Sequence, residues 1–198
     1  MNYLKITFLL VCICGTTNLS AQASYHDSLQ AYINKYVKNH EVVTGSDKEH
    51  FRFFPIEKGY QVIAKFEKAK ESKWFLLATS GIEKKMYRIY GSALFTLHDT
   101  AIRLNLYQAQ NLLSNPEYKD YLVLMFTDKT TGSETYEAGR YIDLAIDDIK
   151  NNTIVIDFNK AYNPYCAYVK DKYNCPIPPR ENDMPVAIRA GEKIFGKD

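Results

Sequence analysis

The sequence predicts a mainly β fold: an antiparallel meander closing into a barrel or curved sandwich, with an N-terminal amphipathic helix and a proline-rich C-terminal wrap. Three observations lead there. Short runs rich in β-branched and aromatic residues recur along the chain as YQVIAKFE, KWFLLAT, KKMYRIYGSALFTL, AIRLNLYQAQ, YLVLMFTD, GRYIDLAI and TIVIDFN. Turn formers separate them at Gly81, His98-Asp99, Asn115-Pro116, Thr131-Gly132 and Asn151-Asn152. Helical patterns do not alternate with these runs, so a parallel sheet is not indicated.

Taken in order, the chain opens with Lys5, an apolar run over residues 6–15, a polar stretch and then Ala21-Gln22-Ala23. That layout matches a cleaved secretory signal over residues 1–23, leaving one domain over 24–198. A membrane span needs about 20 apolar residues, and Gly15-Thr16-Thr17-Asn18 ends the run before that length, so no transmembrane anchor is expected. Lipid modification needs a small residue before the cysteine, whereas Val11 and Ile13 precede Cys12 and Cys14. The expected location is therefore periplasmic or extracellular.

Next, Leu29, Tyr32, Ile33, Tyr36 and Val37 recur at helical spacing, with Asp27 or Ser28 as the expected N-cap. The stripe reads as a packing face. After the strand runs, the residues beyond Asn163 hold too many prolines for a central strand and are expected to cover the sheet irregularly.

Composition and motifs prune the possible functions. The 25 Lys and Arg nearly balance the 23 Asp and Glu, which leaves no electrostatic footprint for nucleic acid. The chain has no glycine-rich phosphate loop, dinucleotide fingerprint, nucleophile elbow or paired-histidine zinc helix. His40-Glu41 begins like the last of these without a second histidine to complete it. His26, His40, His50 and His98 are scattered and expected at the surface. No metal or organic cofactor is implied.

Two segments stand out: residues 127–144 (TDKTTGSETYEAGRYIDL), and residues 156–168 (IDFNKAYNPYCAY) with their proline-rich continuation. Together they resemble the family of unknown function DUF1684. Its pattern G-x-E-T-Y-x-x-G-R-Y matches residues 132–141, and D-F-N-x-A-Y-N-P-x-C-A-Y matches 157–168. C-P-x-P-P-x-E-N matches 175–182 and A-G-E-K matches 190–193. The resemblance implies no particular activity.

Read physically, Arg140 beside Tyr141 presents a rigid donor fork suited to a carboxylate or phosphate. It could equally be a structural partner of Asp157, Glu181 or Glu192. Asp157 and Asn159, two apart, should share a face, and pairing of their strand with that of Arg140 would gather all three at one barrel mouth. Asn163-Pro164 and Asn182-Asp183 are turn formers first. Tyr162, Tyr165, Tyr168 and Tyr173 suit either stacking on a ligand or covering the sheet.

With the signal removed, Cys166 and Cys175 are the remaining thiols, and a disulfide between them would close a loop worth about 2.7 kcal/mol. A metal site or a nucleophilic cysteine are the other readings. The candidate ligand-binding residues are Arg140, Tyr141, Asp157, Asn159, Tyr162, Glu181 and Asn182. The expectation is a small polar or anionic ligand at the barrel mouth. The alternatives are a hydrolase-like enzyme using Asp157, Glu181 or Glu192 as acid-base groups, and a structural envelope protein.

Overall fold

The computed structural model describes residues 16–196. The apolar run of the expected signal, with Cys12 and Cys14, lies outside the described residues. The expected cleavage window, residues 21–24, falls in the early turns of helix α1 (Thr16–Asn39). Asp27 and Ser28 are therefore interior helix residues rather than N-caps. The physical reason is that nothing between Thr16 and Asp27, neither glycine nor proline, interrupts the helix. Leu29 and Ile33, one turn apart, are its buried anchors.

Seven strands make one antiparallel sheet: β1 (Gln61–Lys68), β2 (Phe75–Leu77), β3 (Lys85–Leu97), β4 (Thr100–Ala109), β5 (Tyr121–Phe126), β6 (Arg140–Ala145) and β7 (Thr153–Asp157). The order is β6-β5-β4-β3-β1-β7, with β2 added to the start of β3. The long β3–β4 hairpin turns at His98 and Asp99, both with positive φ (48° and 58°), the conformation that matches the twist of a two-residue hairpin. A register shift between Ile89 and Gly91 bends β3. A side chain at Gly91 would collide with the Phe66 ring across the sheet, so glycine is what lets β1 and β3 approach there.

β6 and β7 are the two opposite edges of this sheet and do not pair. Only residues 146–152 connect them, a tether of at most about 25 Å. The sheet must curl to bring its edges that close, and the result is a half-barrel. The expectation that Arg140, Asp157 and Asn159 meet through pairing of their strands is therefore corrected. The chain after β7 crosses the gap instead: Tyr141 and Tyr162 exchange backbone hydrogen bonds of 2.9 and 3.0 Å.

Side chains fill the inside of the curl. Phe66, Phe95, Leu104, Leu124, Phe126, Ile142, Ile156 and Phe158 form the main core, joined by Met184, Ile188 and Ala190 from the C-terminal segment. Since residues two apart share a face, Leu122, Leu124 and Phe126 point inward. Val123 and Met125 point outward, into a second cluster with Leu77, Tyr87, Tyr107 and Tyr141. With the interior filled, space for a ligand has to be sought on the outer flank.

Candidate functional site

On β6, Arg140 alternates in phase with Ile142 and Leu144, and it is buried with them at 1% exposure. Its partner is Asp128, 3.0 Å away and also fully buried, rather than Asp157, Glu181 or Glu192 carboxylate. The guanidinium also donates to the carbonyls of Ile188 (2.8 Å), Ala190 (2.6 Å) and Glu192 (3.1 Å). The second Asp128 oxygen accepts from the Thr130 amide and hydroxyl and from the Ile188 amide. This is a clamp holding residues 188–192 inside the curl. Burial pushes the guanidinium's pKa down from its ordinary value, and Asp128 opposes that shift.

Asp157 and Asn159 form a second closed cluster. Asp157 accepts from the Tyr25 hydroxyl (2.9 Å), Gln61 (3.1 Å) and both the backbone and side-chain nitrogens of Asn159. Asn159 also bonds both backbone polar groups of Glu57. These bonds tie α1 and the strand β1 entry to the end of β7. Asn182 is a third such plug: its amide donates to the carbonyls of Asn105 and Met125 and accepts from the Asn105 amide, spanning the place where β4 and β5 part. Glu181 is exposed beside it. The three carboxylates of the acid-base reading thus sit in separate places: Asp157 in the cluster at the end of β7, Glu181 exposed beside Asn182, and Glu192 buried under the Tyr36 and Tyr168 hydroxyls.

Tyr141 and Tyr162 do meet, in a cleft of about 580 Å³ on the outer flank. One wall is a stripe of α1, Tyr32, Lys35, Tyr36 and Asn39, continued by His40 and Glu41. The floor is the outward face of β6, Tyr141 and Asp143, with Lys85 from β3. The far wall is Tyr162, Pro164 and Tyr165 with residues 173–176. That wall is fixed by the disulfide between Cys166 and Cys175 and by the 2.9 Å bond from the Ser80 amide to the Cys175 carbonyl.

The polar groups of the cleft are held by tyrosines. One Asp143 oxygen accepts from the Tyr121 (2.7 Å) and Tyr162 (2.5 Å) hydroxyls. Burial and then Asp143 raise Tyr121 well above its ordinary pKa against the opposing bond with Tyr162, and burial, Tyr121 and Asp143 together raise Tyr162 likewise. Tyr32 is pushed up to about 12 by burial and then by the charges of Asp143 and Asp157. Tyr165 donates to Glu41 at 3.1 Å.

One layer behind lies Glu192, fully buried, accepting from Tyr168 (2.8 Å), Tyr36 (3.1 Å) and the Asn163 amide (2.9 Å). Burial raises its pKa to about 7 against the pull of those donors. His40 is only 7% exposed, which corrects the surface placement expected of it. Its Nδ1 accepts from the Val43 amide, and its ring packs edge-on against Tyr36, Phe51, Tyr165 and Tyr168. Phe51 and Tyr168 are far from His40 in sequence, so no local pattern announced its burial. Among the described residues, no group of three or more His, Cys, Asp or Glu could hold a metal ion.

The model of the family described as "Protein of unknown function (DUF1684)" matches residues 48–193. The chain belongs to the DUF1684 family. A solution NMR structure of an uncharacterized protein from Haloarcula marismortui is similar, with 26% identity and a TM-score of 0.65 over 88% of this chain and 96% of that one. No curated protein matches. The DUF1684 match includes the floor and far wall of the cleft, whereas the α1 wall precedes it.

Proposed function

We propose that this DUF1684 protein is an exported binding protein whose mature domain begins near Ser24 and holds a small polar ligand in the tyrosine-lined cleft. The observation that carries the reading is the cleft itself. Its volume of about 580 Å³ falls within the range of small-molecule sites, and aromatic faces surround a few fixed polar groups. Among the residues expected from sequence, Tyr141 and Tyr162 are proposed ligand neighbours. Arg140, Asp157, Asn159 and Asn182 are proposed to support the frame, since their hydrogen bonds are made within the protein.

The test is native mass spectrometry of protein purified from its own host. Wild type should carry a retained mass that Asn39→Trp, which places an indole on the cleft wall, loses without unfolding. Retention of the same mass by both proteins, or by neither, would overturn the reading.

A further inference from the structure

Resting on that cleft as the binding site, we infer that its ligand carries an organic ammonium group, received by Asp143 within a box of tyrosine rings. Asp143 stands on the outward face of β6, and no lysine, arginine or histidine pairs with it among the described residues. Both hydrogen bonds that its side chain accepts among the described residues, from Tyr121 and Tyr162, go to one oxygen. The second oxygen has no protein partner among the described residues. The carboxylate is thus fixed in direction while half of its accepting capacity stays open.

Its surroundings suit a cation. Tyr32, Tyr36 and Tyr165 line the same cleft, and aromatic faces attract a positive charge through the ring quadrupole. Tyr121 and Tyr162 bond Asp143 directly, and after burial its charge also helps raise the pKa of Tyr32 and, behind Glu41 and Tyr173, of Tyr165.

Lys35 and Lys85 also line the cleft, and they make no ion pair among the described residues. Their ammonium groups ride on long stems that turn to water at little cost. A short carboxylate pinned by two hydroxyls has no such freedom. The fixed charge therefore selects the ligand, and the lysines tolerate it. An anionic ligand would have to approach the exposed Asp143 carboxylate against its repulsion, and Arg140, the cation that would have recruited it, is sealed inside the curl.

The experiment follows cleft resonances by NMR during titration with n-butylammonium and, separately, with butyrate, which has a similar alkyl body and opposite charge. Butylammonium should shift the signals of Tyr162 and its neighbours while butyrate does not. Asp143→Asn should weaken that response about tenfold or more with its melting temperature nearly unchanged. Tyr32→Ala, which leaves the Asp143 hydroxyl partners in place, should weaken it several-fold. A cleft that answers to butyrate alone overturns the ammonium assignment and leaves the binding reading standing. An unchanged butylammonium response in Asp143→Asn also overturns it. A cleft silent to both probes, with no mass retained from the host, removes both.

Discussion

Arg140 and Glu192 are the two residues whose chemistry depends most on being dry. Removing the Arg140 charge leaves Asp128 buried without its cation, so Arg140→Gln should cost about 3–5 kcal/mol, measured by denaturant melts. A loss under about 1 kcal/mol would mean that the pair is solvated. Glu192 has the opposite problem, a carboxylate at 0% exposure that makes no ion pair among the described residues. Its folded pKa, about 7, lies above the ordinary 4.5, so between those values the native state holds a proton that the unfolded chain has lost. Stability from this group is fully present below pH of about 4.5 and falls as pH rises to about 7, by on the order of 3 kcal/mol. Glu192→Gln should flatten that part of the stability profile and be more stable than wild type at pH 8. A profile unchanged by the substitution would assign the slope to another group. In sequence, Arg140 could have been placed: it alternates with Ile142 and Leu144, which marks the inward face, while Tyr141 and Asp143 share the outward one. Its partner could not, because Asp128 is brought in by the turn that precedes β6.

At the scale of elements, the disulfide-closed segment is where a local change should have a local effect. Reducing Cys166–Cys175, or replacing both with alanine, should cost about 2–3 kcal/mol and speed tryptic cleavage at the exposed Lys170 and Lys172. Equal cleavage rates in both forms would show that Ser80 and its neighbours hold the wall unaided. The strands were legible because the runs are rich in β-branched and aromatic residues and are punctuated by turn formers, as with His98-Asp99 between β3 and β4. The pairing of edges was not, since it depends on how far the sheet curls, which no single run encodes. The α1 stripe of Tyr32 and Tyr36 reads in sequence as a packing face. Tyr36 does pack, against Phe51 and Phe53, yet it also forms cleft wall, and only the neighbouring segment around Tyr162 distinguishes the two.

For the whole molecule, the proposed export predicts a mature N-terminus between Ala21 and Ser24, read by N-terminal sequencing of protein from the envelope or medium. An intact Met1 in that fraction would refute cleavage. The same molecular view gives the Arg140 clamp a meaning in time. Its carbonyl acceptors lie about fifty residues downstream, so a chain made from the N-terminus holds Arg140 and its partner Asp128 well before the segment that covers them. The ion pair at the heart of the curl is thus sealed by the far end of the chain, and truncation before residue 188 would leave both charges without their cover.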